Sequence, residues 1–465
     1  MFFNRTKELR DLDTLWRSGE AQLIVLYGRR RVGKSSLLKA WIKNKRGLYW
    51  TATATTNERL LQSFSATLYL FKNPQAEIPP DFSYPNWESA LVETATLANK
   101  QKIAIVIDEF PYLIEANAEI PSLLQKIWDA HFEKSKALLT LTGSRVGMME
   151  KHVLSSRGPL YGRASSVLWL NPLPFNELHH FLPRYSKTQL VEIYAITGGV
   201  PLYIKMFDDS VPVLANIQRE LSSTTSLLKG EPYFLIHEEL KEPLRYVAIL
   251  EALGLGKKHI SQMSATTGIE KTHLIPYLKT LETLRYIKRN IPITENKNVS
   301  RKGLYDFSDL FLKFYFRFIA PHQTLLEDGL EKAVFKTITD QFDSFVGKEG
   351  FEALCRQWLV SQADQNKLPF NPDVIGKYWD SNIEIDLAAL NKKQQALIVG
   401  EAKWTNEKCG LGVLQELNRK TEYINKKFGF HINKFIFSKA GFAAPLIERA
   451  RIENVRLIGL DEIFK

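Results

Sequence analysis

The stretch Gly28-Arg29-Arg30-Arg31-Val32-Gly33-Lys34-Ser35 satisfies G-x-x-x-x-G-K-[ST] at every fixed position, and it constrains the fold of this chain more than any other feature. It follows a short apolar run, Leu23–Tyr27, and precedes a helical pattern, Ser35–Lys43. That strand–loop–helix context is the one the motif requires. Gly28 and Gly33 let the loop turn tightly, so the backbone N–H groups of Arg29, Arg30, Arg31 and Val32 can point inward at phosphate oxygens. The helix that follows adds its positive end. Lys34 is expected on the terminal phosphates, Ser35 on Mg²⁺, and Ser36 beside them. ATP and Mg²⁺ are therefore the expected cofactors.

A phosphate loop needs an acidic partner at the end of a neighbouring strand. Ile103–Ile107 is a continuous apolar run that ends in Asp108-Glu109. Asp108 suits the Mg²⁺ shell, and Glu109 suits a general base for the attacking water. A third apolar run, Leu138–Leu141, ends in Thr142-Gly143-Ser144-Arg145, which puts Ser144 in position to sense phosphate or orient water. Arg163, in Gly158-Pro159-Leu160-Tyr161-Gly162-Arg163, is the candidate to enter a neighbouring subunit's site, which would make the protein a homo-oligomer. Apolar runs that alternate with amphipathic segments such as Pro121–Glu133 predict an α/β fold with a buried parallel sheet.

The 465 residues suggest several domains, and no run approaches the length of a membrane span. The N-terminus is charged within a few residues, unlike a signal peptide, and Cys355 and Cys409 stand in no redox or metal spacing. A cytoplasmic, non-membrane protein is expected. The net charge of +11 is unevenly spread: residues 241–320 hold 14 Lys/Arg against 7 Asp/Glu, whereas 321–465 hold 20 of each. A concentrated basic stretch points to a polyanion partner, with DNA the leading choice.

That stretch reads as helix, helix, turn, helix, hairpin. Leu244–Leu253, Ser261–Thr266 and Lys271–Leu284 are the helices, and Ile287–Ile293 with Lys302–Phe307 the hairpin. Leu274, Tyr277, Leu278, Leu281 and Leu284 recur at helical spacing, and Pro276 is expected in the first turn or at a kink. The pattern is that of a winged helix. Lys271, His273, Lys279, Lys288, Arg289, Lys297, Arg301 and Lys302 are its candidate phosphate contacts.

In the last third, Ile383–Leu390 and Ala396–Lys403 read as a strand pair. Glu401 and Lys403, two apart, share a face, and a hairpin brings Asp386 beside them. Glu352, opening a helical run after Gly350-Phe351, is a candidate fourth member. Two carboxylates and a lysine suit a divalent metal, Mg²⁺ or Mn²⁺, that activates water. Asp386 and Glu401 are the expected ligands.

Taken with Asn4-Arg5, Glu8-Leu9, Gly198-Gly199-Val200-Pro201-Leu202-Tyr203, Glu231-Pro232 and the aromatic run Leu310–Phe318, these motifs resemble the archaeal-type ATPases, a branch of the AAA+/STAND P-loop NTPases. The resemblance covers essentially the whole chain. It implies a P-loop ATPase core over 1–175, a helical lid over 176–240, a winged helix over 241–322 and a restriction-endonuclease-like domain over 331–465. It further implies that Asn4 and Arg5 approach adenine, and that Pro201 lies near the base or the lid. Two outcomes stay open for the last domain: metal-dependent cleavage of DNA, or binding of DNA or protein without cutting.

Overall fold

A computed structural model describes residues 5–156, 158–296 and 299–464. The chain divides into two compact units, Met1–Pro172 and Leu173–Lys465.

The first unit is a five-stranded sheet: β1 (Gln22–Tyr27), β2 (Gly47–Thr51), β3 (Ile103–Asp108), β4 (Ala137–Gly143) and β5 (Ser166–Trp169), in the order β2-β3-β4-β1-β5. Every pairing is parallel. Helices cover both faces, so the central strands are apolar on both. Alternation assigns each residue to a side. Leu23, Val25, Ile105, Ile107, Leu139 and Leu141 join Phe64, Trp87 and Phe110 in one core. Ile24, Leu26, Ala104, Val106 and Leu138 join Leu12, Leu37 and Trp41 in the other. The three apolar runs read from sequence are β1, β3 and β4, each extended by one to three residues.

The second unit begins with the helices Lys187–Thr197, Pro201–Ile204, Val213–Ser222 and Leu227–Glu239. The Gly198-Gly199 break is a tight corner. Both glycines have positive φ, and a Cβ on Gly199 would fall 2.1 Å from the Leu173 carbonyl oxygen. Pro201 opens the next helix. Three helices follow, Pro243–Gly254, Ile260–Thr267 and Lys271–Thr283, then the antiparallel pair β6 (Ile287–Asn290) and β7 (Leu304–Phe307). Pro276 is not in the first turn. It is the sixth residue of its helix, on the exposed side, where the Thr272 carbonyl it leaves without an amide faces water.

After the helices Glu331–Phe345 and Glu352–Asp364 comes a second sheet: β8 (Val374–Trp379), β9 (Glu384–Asn391), β10 (Ala396–Lys403), β11 (His431–Ser438) and β12 (Val455–Gly459), in the order β12-β11-β10-β9-β8. β8, β9 and β10 pair antiparallel, while β10, β11 and β12 pair parallel. Parallel neighbours need a crossover, supplied by the helices Leu411–Phe428 and Ala444–Ile452.

The segments read as lid, winged helix and C-terminal domain form one unit because they share an aromatic core. Tyr203 stacks on Phe311 at 3.7 Å, Phe307 on Phe316 at 6.0 Å, and Phe314 and Phe318 both pack on Phe345. The hairpin is also tied to the second sheet. The Ile293 N–H donates to the Lys377 carbonyl at 2.9 Å, and the Ile293 side chain is buried in that sheet's core. Among the described residues, no helix is long and apolar enough to cross a membrane.

Candidate active site

The phosphate loop leaves the end of β1 and enters the helix Lys34–Ile42 directly. Gly28 cannot carry a side chain, because a Cβ there would lie 2.7 Å from the Leu170 carbonyl oxygen. Arg31 and Gly33 have φ of 71° and 94°. No side chain caps the helix at Gly33, so its first N–H groups face the loop. Lys34, 4% exposed, arches back and donates to the Gly28 and Arg29 carbonyls at 2.8 and 2.9 Å. Arg5 does not project toward a base site. Its guanidinium donates to the Val32 carbonyl at 2.9 Å and pairs with Glu8, bracing the loop from behind. Arg29 is buried, Arg30 reaches the Tyr112 hydroxyl at 3.5 Å, and Arg31 and Ser36 face solvent. Asn4 and Lys297 lie outside the described residues.

Strand order brings the acids to the loop. β4 lies between β1 and β3, so the ends of all three strands converge. Asp108 is 2% exposed and accepts the Tyr49 hydroxyl at 2.6 Å. Burial, then the Asp108 charge, pushes the Tyr49 phenol far above its usual range, and Ser35 touches the same hydroxyl. Tyr49 therefore joins the two residues expected around Mg²⁺, a role the sequence reading missed. Its only signal was its alternate position in β2. Glu109, at φ 52°, turns toward β4. Ser144 donates its hydroxyl to one Glu109 oxygen at 2.7 Å and its backbone N–H to the other at 3.2 Å. The next residue, Arg145, stacks on the Tyr112 ring and pairs with Glu115 at 2.6 Å.

Arg163 sits at the other end of the sheet. It precedes β5, whose first residue pairs with Ile24, and the neighbouring Ser165 N–H donates to Leu23. The loop leaves the opposite end of β1. Arg163 thus cannot reach its own chain's phosphate site, and it is gripped by both Asp129 oxygens at 2.8 and 2.7 Å.

In the second unit, Leu387 pairs with Gly400, so Asp386 and Glu401 occupy the next rung of the ladder and share a face with Lys403. Glu401 is 2% exposed with both oxygens taken: Lys403 donates to one at 3.1 Å, and Lys420, from the helix Leu411–Phe428, to the other. Glu352 pairs with Lys377. Burial pushes Glu352 up to about 7 against the pull of Lys377, with the Asp386 charge adding to the rise. Asp386 accepts the Ala402 N–H at 3.3 Å. The expected acid–lysine set is therefore gathered, but Lys377 and Lys420, which sequence reasoning missed, balance its charge. Among the described residues, no group of three or more His, Cys, Asp or Glu side chains is arranged to hold a metal ion. With Glu401 ion-paired at both oxygens, the set does not fit a divalent cation as it stands.

The basic candidates around the hairpin separate. Lys271, His273, Lys279, Lys288 and Arg301 are exposed. Arg289 donates to the Ser300 carbonyl at 2.6 Å, and Lys302 pairs with Glu295 at 2.7 Å.

Residues 2–207 match an ATPase domain found predominantly in Archaea, and residues 315–423 match a family of archaeal and bacterial proteins of unknown function. An uncharacterized protein of Methanocaldococcus jannaschii is 34% identical over 448 residues, covering 94% of this chain and 97% of that protein. An uncharacterized ATP-binding protein of the same organism is 52% identical over 46 residues, 10% of this chain and 78% of that protein. Among solved structures, a Walker-type ATPase of Pyrococcus abyssi has a TM-score of 0.53 at 21% identity, covering 68% of this chain and 96% of that one, a likeness of fold.

Proposed function

The chain belongs to the archaeal-type P-loop ATPases, and we propose from this premise that it hydrolyses ATP in its first unit and binds DNA, without cutting it, through its second. The observation that carries the ATPase part is the convergence of Lys34, Ser35, Asp108, Glu109 and Ser144 at one edge of the parallel sheet. Lys34 exchanges its two carbonyl partners for phosphate oxygens. Ser35 and Asp108 are the residues that would hold Mg²⁺, which when bound neutralises phosphate charge. The Tyr49 hydroxyl, now on Asp108, has to give way. Glu109 takes a proton from the attacking water at a carboxylate oxygen, and Ser144 fixes where that oxygen points. Arg163 is proposed to act on a partner subunit, since its place on the sheet leaves it no role in its own site.

The test of the ATPase reading compares nucleotide binding and phosphate release in Lys34→Ala and Glu109→Gln. Lys34→Ala should lose binding, and Glu109→Gln should bind but turn over slowly. Unchanged binding in Lys34→Ala would refute the assignment.

The DNA-binding part rests on the excess of 14 basic over 7 acidic residues in 241–320 and on the exposed Lys271, His273 and Lys279, arranged as in a winged helix. The reading without cleavage rests on Lys420 and Lys403, which together satisfy Glu401. Metal-dependent cleavage is a second reading, favoured by the facing positions of Asp386 and Glu401 in a restriction-endonuclease-like arrangement. Incubating the full chain with plasmid DNA and Mg²⁺ or Mn²⁺ separates the two.

A further inference from the structure

The base of the hairpin, the helix Glu352–Asp364 and β8 bring three cations together in the second unit. Lys288 comes from β6, Arg356 from the helix and Lys377 from β8. Lys377 has Glu352 as its partner. Lys288 and Arg356 have no carboxylate partner among the described residues, and Arg356 makes one long contact, to the Ile375 carbonyl at 3.5 Å. The acid directly across the ladder from Lys288 is Asp306, and it is already occupied: Lys258 and Lys313 bind its two oxygens at 2.6 and 2.7 Å, and Lys313 also pairs with Glu349. The local charge is therefore positive and uncompensated.

The cations lie in a recess, not on an open face. Lys288 and Arg356 are open to solvent, yet protein crowds them from several elements. Crowding, together with Arg356, Lys313 and Lys377, holds the Lys288 ammonium down to about 8, and crowding lowers Arg356 as well. The walls are fixed, because Ile293 bonds its backbone to Lys377 and buries its side chain in the second sheet. Like charges held together in a rigid recess are costly without an anion and favourable with one. An isolated lysine on a solvated face carries no such cost.

We propose that this recess binds the phosphodiester backbone of DNA, with Lys288 and Arg356 as its phosphate contacts, and that it guides the strand toward the Glu352–Asp386–Glu401 cluster. Lys377 links the two places, facing Lys288 on one side and bonded to Glu352 on the other. The inference deepens the DNA-binding reading and rests on it. It moves the principal contact surface from the exposed face of the helix Lys271–Thr283 to the junction of hairpin and sheet.

Fluorescence anisotropy of a labelled DNA duplex, titrated with the full chain over a range of salt concentrations, tests it. Lys288→Gln/Arg356→Gln should weaken binding and flatten the salt slope by about 1.8, two contacts at about 0.9 each. Lys271→Gln/Lys279→Gln should leave the slope near wild type. If wild-type protein binds and the recess variant keeps its full slope, the recess is overturned while DNA binding stands. A slope lost only in the helix variant overturns it equally. If wild-type protein does not bind, the DNA reading fails and the recess with it. A second measurement needs no DNA. Inorganic phosphate should raise the melting temperature of the wild type and not that of the double variant. Equal shifts in both would count against a phosphate site.

Discussion

Ser144 holds both oxygens of Glu109, with its hydroxyl at 2.7 Å and its backbone N–H at 3.2 Å. A general base fixed at two points is aimed before water arrives. Ser144→Ala keeps the backbone contact and loses the hydroxyl. A hydrogen bond to a charged group is worth about 1.5–3 kcal/mol. If most of that is realised in the transition state, kcat should fall about 10-fold or more while ATP affinity is retained. Ser144→Thr should restore turnover. Steady-state phosphate release with equilibrium nucleotide binding checks this, and an unchanged kcat in Ser144→Ala would remove Ser144 from the mechanism.

Tyr49 and Asp108 make a prediction of opposite signs. Their 2.6 Å hydrogen bond stabilises the nucleotide-free site and also occupies an oxygen expected to face Mg²⁺. Tyr49→Phe should lower the melting temperature without ligand, by the equivalent of about 1–3 kcal/mol for a buried acceptor left short of a donor. The further stabilisation on adding ATP and Mg²⁺ should be larger than in wild type, because no hydroxyl must be displaced. Differential scanning fluorimetry reads both quantities. A smaller ligand-induced shift would mean that Tyr49 helps hold the metal shell.

Arg163 and Asp129 distinguish a structural ion pair from a residue that works in trans. If Arg163 only anchors its loop, Arg163→Ala and Asp129→Ala should behave alike. If it serves a partner subunit, Arg163→Ala should lower turnover, Asp129→Ala should not, and turnover per chain should rise with protein concentration. ATPase assays over a dilution series decide between them.

The phosphate loop, the acid pair and the strands behind them were legible because each depends on local order: apolar runs, fixed glycines, an acid at a strand end. The hairpin of Asp386 and Glu401 was legible for the same reason, through a period of two. What escaped was set by distant partners. Tyr49 meets Asp108 across 59 residues, and the Ile293 backbone finds that of Lys377 far along the chain. Lys420 reaches Glu401 from a crossover helix whose surface pattern is ordinary. The four-part domain division missed the shared aromatic core because helical periodicity shows that a face is buried but not against what.

Glu192, on the helix Lys187–Thr197, gives a pH dependence of stability. Burial pushes its carboxyl up to about 7, with Asp343 adding to the rise and Lys439 opposing it. The folded state therefore holds a proton that the unfolded chain releases near the usual glutamate value. Between about 4.5 and 7 the native state binds more protons, so this residue's contribution falls as pH rises through that window. Glu192→Gln should flatten that part of the profile and melt higher than wild type at pH 8, with little difference at pH 4.5. Thermal melts across this range provide the check, and parallel profiles would show that Glu192 ionises normally.

Lys420 decides between the two readings of the second sheet. Its ammonium occupies one Glu401 oxygen while Lys403 occupies the other. A divalent cation bridging Asp386 and Glu401 would have to displace at least one lysine from a nearly buried carboxylate. Breaking a buried pair costs several kcal/mol, so wild-type protein should bind Mn²⁺ weakly and leave plasmid DNA intact. Lys420→Met removes the competitor. It should lower the melting temperature without metal, because Glu401 loses a partner, and Mn²⁺ should recover part of the loss by filling the vacated position. Adding Asp386→Ala should abolish that recovery, since a single carboxylate beside Lys403 is a poor site for a dication. Isothermal titration with Mn²⁺ and melts of the three proteins follow each step. If wild-type protein instead cuts plasmid DNA with Mg²⁺, and Asp386→Ala stops cleavage while ATP turnover continues, Lys420 yields to the metal and the nuclease reading takes the place of the binding one.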